Sequence, residues 1–373
     1  MSASARRTYI QRQMRLLLIN AKQTLAEALA ACDGVEVACV WPGNCRSRDI
    51  ELKAGVRTRW YTGGQKLNLR AAWQIRTIIR EFRPDIVHAF YGRALAHVVL
   101  AARSMRSPPH IVSFRGITAP LSRFNAGDWI TYRHPMVAAH ACESHAVRES
   151  LVASGIAAGK CWVTFNSMAA APAHRPGRQG LEQFGVPANA FVVGSIATMR
   201  RVKGIDILLR AAARCADLRD VYWVLFGHVV DPEVKQLADD PRIRDRVRLV
   251  GHRPDASELI SGADLFVMPS RAEALCQALL EAMHQGVCPV VSDAGGMKEV
   301  VRHGQDGVVV PTEDVEALAQ AIRELHANRG LIARCGASAA QRVADEFTPQ
   351  KMAERCLAMY RQLLGERQRR GAA

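Results

Sequence analysis

Residues 269–296, with the sequence PSRAEALCQALLEAMHQGVCPVVSDAGG, constrain the fold more than any other segment of the chain. The pattern predicts a loop, a helix, a buried strand and a glycine turn in succession. Residues 288–292 are a short apolar run with β-branched residues, which predicts a core strand. The turn at residues 293–296 then leads into a helix predicted to start near Met297. Glycines that follow a strand and open a helix are typical of an anion site, because backbone N–H groups can approach the ligand and the helix dipole favours negative charge.

Two carboxylates, Glu273 and Glu281, lie eight residues apart across the start and body of the predicted helix. Together with the glycine turn they indicate a site for a phosphorylated, hydroxyl-rich ligand. Taken alone, the same residues also fit a simpler interpretation. Glu273 is then a helix-start carboxylate that the helix dipole favours, and Glu281 belongs to a solvated face.

Strand–helix units repeat in both halves of the chain, which predicts an α/β fold of two doubly wound domains facing a central cleft. Residues 169–190 are rich in Pro, Gly and Ala, and they mark the boundary between residues 1–170 and 171–349. The turn at Gly63-Gly64 is predicted to open a helix over residues 67–82.

Bulk properties fit a chain without a membrane anchor. No apolar run approaches the roughly 18 residues of a transmembrane helix, and the first 20 residues lack the apolar core of a secretory signal. Translation could start at Met1 or at Met14, because the first predicted strand begins at Arg15. The 10 cysteines are scattered without a C-x-x-C pair, which favours buried thiols in a reducing compartment over a zinc site or a disulfide framework.

The positive charge is confined to one half of the chain. Residues 1–180 contain 25 Lys/Arg and 10 Asp/Glu, whereas residues 181–373 contain 25 of each, so the first half carries the whole net charge of +15. This asymmetry predicts a polyanionic partner for the first half: an anionic bilayer, a lipid-linked phosphate or nucleic acid. A generally arginine-rich composition is the alternative.

The donor-site signature of glycosyltransferase family 4 resembles the segment described above. The similarity includes Glu-x7-Glu, Ala-Met, Gly, the Pro-Val-Val strand and Gly-Gly-x-x-Glu-Val-Val, and continues through residues 304–311 and 314–319. Six short elements agree in order and spacing. The resemblance implies a GT-B fold, with two Rossmann-like domains and a C-terminal helix, residues 350–373, packed back onto the first domain. It also implies acceptor binding by residues 1–170 and nucleotide-sugar binding by residues 171–349.

The resemblance assigns roles within the second domain. It implies that Glu281 binds the ribose hydroxyls and that Glu273 binds the donor sugar and acts in catalysis. A basic pair is expected to hold the donor diphosphate; Lys203 matches its lysine, and Arg200 is the candidate arginine, with Arg201 as a second possibility. The further donor contacts that we predict are Arg201, Gly227, Gly295 and Gly296.

In the first domain the sequence departs from the family pattern at two places. The turn after the first strand, residues 20–23, has no glycine to approach the donor phosphates. Arg115-Gly116 stands where many members have His-Gly, so Arg115 is a candidate for phosphate or acceptor contact and cannot act as a base. His88, in a Pro-Asp-Ile-x-His segment, is a candidate acceptor contact or a structural histidine.

The implied reaction transfers a sugar from a nucleotide diphosphate donor to an acceptor hydroxyl, with retention at the anomeric carbon. The leaving diphosphate must be neutralised, which Lys203, Arg200 and the Gly295-Gly296 turn could do. Since no Asp-x-Asp is present, we predict no metal and no cofactor, the nucleotide sugar being a substrate.

The basic first half favours a lipid-linked or phosphorylated glycan acceptor, in bacterial lipopolysaccharide or exopolysaccharide assembly. We expect a cytoplasmic protein peripheral to the inner membrane, without nucleic acid as a partner. The alternatives are an epimerase or phosphorylase on the same fold, an inactive homologue, and a basic binding module, which would lack a recognisable nucleic-acid motif.

Overall fold

The structure, a computed structural model, describes residues 13–43, 56–63, 68–168 and 175–371, with the backbone alone for residues 367–371. The predicted domain boundary at residues 170/171, the start at Met1 and Gly64 of the glycine turn lie outside the described residues. Within them, the chain forms two parallel β-sheets with helices on their faces, so the predicted pair of α/β domains is confirmed.

The first sheet contains seven parallel strands, and its neighbouring helices follow them in the chain. The strands are β1 (Met14–Ile19), β2 (Val35–Pro42), β3 (Val56–Tyr61), β4 (Ile86–Phe90), β5 (His110–Arg115), β6 (Val137–Cys142) and β7 (Cys161–Val163). The helices are α1 (Gln23–Ala30), α2 (Leu69–Phe82), α3 (Gly92–Ala102), α4 (Ala126–Ile130) and α5 (His145–Ala153). The spatial order of the strands is β3-β2-β1-β4-β5-β6-β7, so the order reverses between β1 and β4.

The second sheet has six parallel strands and the same kind of reversal. Its strands are β8 (Phe191–Ile196), β9 (Val221–Phe226), β10 (Val247–Gly251), β11 (Leu265–Met268), β12 (Cys288–Ser292) and β13 (Val308–Val310). Its helices are α6 (Gln179–Glu182), α7 (Ile205–Arg214), α8 (Pro232–Ala238), α9 (Ala256–Leu259), α10 (Gln277–His284), α11 (Met297–Val300), α12 (Val315–Ala327) and α13 (Arg329–Glu346). The order β10-β9-β8-β11-β12-β13 reverses between β8 and β11.

Both reversals place loops where ligands bind in open α/β sheets, at the carboxyl ends of the strands beside the switch point. The central strands are continuous apolar runs because helices cover both of their faces. In β12, for example, every residue is buried. The loops after β1, β6, β8, β11 and β12 are therefore held by rigid strands.

The last helix, α14 (Pro349–Gly371), returns to the first domain. Met352, Cys356 and Tyr360 are buried in the same apolar cluster as Leu16 and Leu25 of β1 and α1. The chain therefore passes between the domains twice, once between β7 and α6 and once between α13 and α14.

Two elements differ from the sequence predictions. Strand β3 was not predicted, because most of its side chains are exposed or half-buried, as expected at the edge of a sheet. Helix α10 starts at Gln277, so Glu273 lies in the preceding loop and not at the start of the helix. Both interpretations of Glu273 as a helix residue are thus wrong.

The described cysteines are free thiols, and all of them except the half-buried Cys32 are buried; Cys45 lies outside the described residues. None of the helices in the described ranges is both long enough and apolar enough to cross a membrane.

Candidate active site

Lys203 and Glu273 form an ion pair between two loops of the second domain. Lys203 ends a short 3-10 turn, Arg201–Lys203, that follows β8, and Glu273 lies in the loop that follows β11. Gly204 closes the turn with φ of 67°, and a Cβ there would collide with the backbone oxygen of Pro269. The absence of a side chain at Gly204 therefore lets the two loops approach closely enough for the ion pair to form.

Burial and the neighbouring carboxylate have opposite effects on the pKa of Lys203. Burial disfavours its ammonium form, but the Glu273 carboxylate outweighs this effect and raises the pKa of Lys203 above its ordinary value. Lys203 is therefore a fixed positive charge at neutral pH, held in a partly desolvated site where it acts more strongly than in water.

Arg271 anchors the same turn from the loop after β11. Its guanidinium donates two hydrogen bonds of 2.7 Å to the buried Asp206 and one of 2.5 Å to the backbone oxygen of Arg201. These contacts connect the β8 and β11 loops a second time, beside the Lys203–Glu273 pair. Sequence reasoning did not find Arg271, whose partner Asp206 is distant in the sequence.

The two arginines predicted next to Lys203 have different surroundings. Arg200 is exposed, and its charge opposes the charged form of Lys203, so the two cations lie close together. Arg201 pairs with Glu233 of α8 at 3.4 Å, and its side chain is mostly exposed. The structure therefore brings Arg200 next to Lys203 and gives Arg201 a different partner.

The glycine turn after β12 supports the Glu273 loop. A Cβ at Gly295 would collide with the backbone oxygen of Glu273, and one at Gly296 with that of Ala274. The N–H of Gly296 donates to the Glu273 oxygen at 3.1 Å. Helix α11 starts at Met297 as predicted, but it is a single turn. The turn therefore positions Glu273, and one of the N–H groups expected to bind an anion is already occupied.

Glu281 lies on α10 and is half-buried. Burial raises its pKa, whereas the neighbouring Gln277 side chain and the charge of Lys22 oppose the rise. Lys22 belongs to the first domain, in the glycine-free loop between β1 and α1. Its Nζ donates to Gln277 Oε1 at 2.9 Å and to the backbone oxygen of Ser167 at 3.4 Å. This lysine thus connects the first domain to the helix that carries Glu281.

Glu143 is a further charged residue that sequence reasoning missed. It directly follows β6 and is buried, and its Oε1 accepts a hydrogen bond from Asn166 at 2.5 Å. Burial raises its pKa to about 7, with Glu273 acting in the same direction and Asn166, Lys22 and Lys203 against it. The charges of Lys203 and Glu273 therefore influence the pKa of Glu143, a residue of the first domain.

A further contact holds the two domains together. The carboxylate of Glu299, on α11, accepts hydrogen bonds of 2.7 Å from the backbone of His145 and 2.8 Å from that of Ala146. These N–H groups open α5, so a carboxylate of the second domain occupies the N-terminus of a helix of the first. This contact joins α11 of the second domain to α5 of the first.

The remaining predicted site residues contact other groups of the protein. His88 is completely buried; its Nδ1 shares a hydrogen bond of 2.6 Å with the Tyr360 hydroxyl, and burial lowers its pKa to about 3. Arg115 is buried, donates to the backbone oxygen of Ala119 and lies over the Tyr132 ring. A Cβ at Gly227, with φ of 126°, would collide with the backbone oxygen of Ala197. The described contacts thus support a structural role for His88.

The residues brought together at the cleft have complementary chemistry. Lys203 and Arg200 carry positive charge that can neutralise an anionic group, whereas Glu273 and Glu281 can accept hydrogen bonds from hydroxyl groups. Among the described residues, no group of three or more His, Cys, Asp or Glu could hold a metal ion. The roles of the individual residues stay predictions.

Comparisons with known proteins agree with this architecture. A family model for glycosyltransferase family 4 matches residues 23–168, and one for glycosyl transferases group 1 matches residues 180–342. The lipopolysaccharide core biosynthesis glycosyltransferase LpsD of Rhizobium meliloti (strain 1021) is 26% identical over 329 residues, 88% of this chain and 90% of that protein. LpsE of the same organism is 26% identical over 341 residues, 90% and 93% of the two chains.

Solved structures share the fold at low sequence identity. A glycosyltransferase from Rickettsia africae ESF-5 superimposes with a TM-score of 0.77 at 19% identity, covering 94% of this chain and 99% of that one. Anabaena Alr3699/HepE in complex with UDP gives 0.76 at 20% identity, covering 94% and 100%. Together with the two family models, the shared fold defines a glycosyltransferase of the GT-B class. The chain belongs to glycosyltransferase family 4, as its motifs predicted.

Proposed function

We propose that this enzyme is a retaining glycosyltransferase that moves a sugar from a nucleotide diphosphate sugar to a hydroxyl of a lipid-linked glycan during lipopolysaccharide assembly. The observation that carries the proposal is the Lys203–Glu273 ion pair, with Glu281 on the next helix, opposite Lys22 and Glu143 of the first domain. The lipopolysaccharide setting is supported by LpsD and LpsE, because each is similar to this chain over nearly its whole length.

In this reaction the second domain binds the donor. Glu281 accepts hydrogen bonds from the ribose, and Glu273 accepts them from the transferred sugar. Lys203 and Arg200 neutralise the diphosphate as its bond to the sugar breaks, which stabilises the transition state more than the ground state. Because these two cations would neutralise the diphosphate, we propose that the transfer needs no metal.

The acceptor is proposed to come from a membrane surface. The first domain carries the excess positive charge, and two of its segments expose large apolar side chains. Leu69 and Trp73 of α2 are 74% and 66% exposed, and Phe124 next to α4 is fully exposed. Basic surfaces with exposed aromatic residues favour the interface of an anionic bilayer.

Membrane contact is tested by co-sedimentation with phosphatidylglycerol vesicles and with phosphatidylcholine vesicles. We expect binding to the anionic vesicles alone, weakened by salt and by the Leu69→Ser/Trp73→Ser variant. Equal recovery with both lipids, independent of salt, would contradict the proposal. The matched control is Val152→Ser, which removes an exposed apolar side chain from α5.

The transfer reaction is tested with UDP-glucose, UDP-galactose and GDP-mannose as donors. Truncated lipopolysaccharide from core-deficient bacteria serves as the acceptor. We expect one donor to give a glycosylated product, detected by mass spectrometry, whose new linkage has the anomeric configuration of the donor by NMR. Inversion would contradict the retaining reaction. If none of the three donors gave a product, the proposal itself would be contradicted.

A further inference from the structure

The glutamate of the Gly-Gly-x-x-Glu-Val-Val motif, Glu299, has no role in the donor site proposed above. It lies on α11, shortly after the glycine turn, and both of its carboxylate oxygens accept hydrogen bonds from the first domain. Its Oε2 accepts from the N–H of His145 at 2.7 Å, and its Oε1 from the N–H of Ala146 at 2.8 Å. These residues are 154 and 153 positions away in the sequence, so the contact depends on how the two domains are arranged.

The N-terminus of α5 is completed by the second domain. The first N–H groups of a helix have no partner within the helix, and the helix dipole stabilises a negative charge beside them. Ser144 Oγ accepts from the N–H of Val147 at 3.3 Å, so the first domain itself caps one of these donors. Glu299 binds the two donors before it. If the domains separated, both N–H groups would lose their charged acceptor.

Helix α11 is held firmly within the second domain. The guanidinium of Arg342, from α13, donates to the backbone oxygens of Glu299 at 2.8 Å and of Val300 at 2.6 Å. Just before α11, the N–H of Gly296 donates to the backbone oxygen of Glu273. Glu299 therefore belongs to the same rigid unit as the turn that supports the Glu273 loop.

The two domains approach each other closely at this point. A Cβ at Gly296 would lie 2.8 Å from the Cβ of Ser144, so the absence of a side chain at Gly296 permits the approach. Ala274, in the loop after β11, is buried in one apolar cluster with Val147 and Leu151 of α5. A close backbone approach, an apolar contact and a pair of charge-assisted hydrogen bonds therefore meet where α5 faces the second domain.

We propose that Glu299 is a positioning residue that sets the closed arrangement of the two domains in which the sugar is transferred. The inference rests on the proposed transfer reaction. In that reaction the second domain holds the donor and the first domain the acceptor, so the reacting atoms meet only when the domains are correctly oriented. Glu299 contacts neither substrate and acts through α5. Its paired hydrogen bonds are directional, so they fix this orientation better than apolar contacts alone can.

The test removes the contact from each side in turn. Glu299→Ala removes the acceptor. His145→Pro removes one donor, because His145 is the first residue of α5, where a helix tolerates proline. The preceding Ser144 is extended, which is the conformation that a residue before proline prefers. The matched control is His145→Ala, which removes the same exposed side chain but keeps the N–H group.

Three quantities are measured in the full chain: kcat for transfer, the dissociation constants of UDP and GDP, and hydrogen–deuterium exchange of the amides of residues 146–150. We expect Glu299→Ala to lower kcat by about 10²-fold, the cost of a displacement of about 1 Å, and His145→Pro to lower it less. Both should speed the exchange, and both should bind the nucleotide with the wild-type dissociation constant. His145→Ala should match the wild type in all three. The double variant Glu299→Ala/His145→Pro should be no slower than Glu299→Ala, because both substitutions remove one shared contact.

The outcomes are distinct. A wild-type kcat in Glu299→Ala, or independent effects that multiply in the double variant, would overturn the role of Glu299 while leaving the transfer reaction intact. Faster exchange at an unchanged kcat would make the contact a structural cap of α5 and would also overturn the proposal. Loss of nucleotide binding in Glu299→Ala would instead assign the residue to the folding of the second domain. A wild-type enzyme that binds nucleotide but transfers no sugar would overturn the proposed function itself, and the positioning role with it.

Discussion

We expect Lys203→Met to destabilise the second domain as well as to abolish rapid transfer. The substitution keeps most of the aliphatic stem and removes the ammonium group that pairs with Glu273. The two side chains are 26% and 14% exposed, so the pair lies between an exposed ion pair, worth about 0–1 kcal/mol, and a buried one, whose disruption costs about 3–5 kcal/mol. We therefore expect a loss of about 2 kcal/mol in the free energy of unfolding.

Differential scanning calorimetry provides the assay. A loss of about 2 kcal/mol corresponds to a fall in Tm of about 4–8 °C for a cooperative unit of 150–250 residues. The double variant Lys203→Met/Glu273→Gln removes the stranded carboxylate, so it should regain at least about half of that loss. Transfer should not recover, because the diphosphate still lacks its cation; we expect kcat to fall by about 10²–10³-fold in both variants.

The matched control is Arg210→Met, which breaks the ion pair with Glu233 on the surface of the same domain. Its side chain is 48% exposed, so the loss should stay below about 1 kcal/mol. Equal losses in Lys203→Met and Arg210→Met, or additive effects of Lys203→Met and Glu273→Gln, would refute the argument that the pair is desolvated and coupled.

Three other predictions concern the first domain and the reaction. Tyr360→Phe should cost about 1–3 kcal/mol in chemical denaturation, because the buried Nδ1 of His88 loses its partner; an unchanged midpoint would contradict this. Glu143 has a folded pKa of about 7 against an ordinary 4.5, so the unfolded chain releases its proton first as pH rises. As pH rises from about 4.5 to about 7, the free energy of unfolding of the wild type should therefore fall by about 3 kcal/mol relative to that of Glu143→Gln. The same pH dependence of stability in both proteins would count against the buried carboxylate. Transfer should survive prolonged treatment with EDTA, whereas a loss restored by Mg²⁺ would show that a metal is required.

The second domain could be predicted closely because its site is encoded locally. Glu273, Glu281 and the glycine turn belong to one segment of 28 residues, and Lys203 directly precedes a glycine after a buried strand. The glycine turn, which was predicted to bind an anion, also supports the Glu273 loop. The Gly296 N–H donates to the Glu273 backbone, a contact that depends on how the β11 and β12 loops pack and cannot be derived from sequence spacing.

Lys22 and Glu143 could not be assigned from the sequence because their partners lie in distant segments. Lys22 contacts Gln277, 255 residues away, and Glu143 is influenced by Lys203 and Glu273 across the cleft. A signal was nevertheless present: each follows an apolar run that forms a buried strand, β1 or β6, at the carboxyl end where open α/β sheets bind ligands.

The edge strand β3 was missed for a different reason. Its sequence, VRTRWY, places arginines and a threonine between apolar residues, and the central four residues are exposed or half-buried. Such a segment lacks the apolar run that identifies the inner strands of a parallel sheet. Position in the sheet, which tertiary structure alone determines, makes the strand stable.

The central claim is that the second domain binds a nucleoside diphosphate through Glu281. The most direct measurement is a thermal-shift panel with UDP, GDP, ADP, CMP and NAD on the wild type, Glu281→Ala and, as an exposed control, Glu316→Ala. At about 100 times the dissociation constant, one nucleoside diphosphate should stabilise the wild type and Glu316→Ala by about 2.7 kcal/mol. The effect should be clearly smaller in Glu281→Ala. No stabilisation by any nucleotide, or an equal effect in all three proteins, would contradict the account.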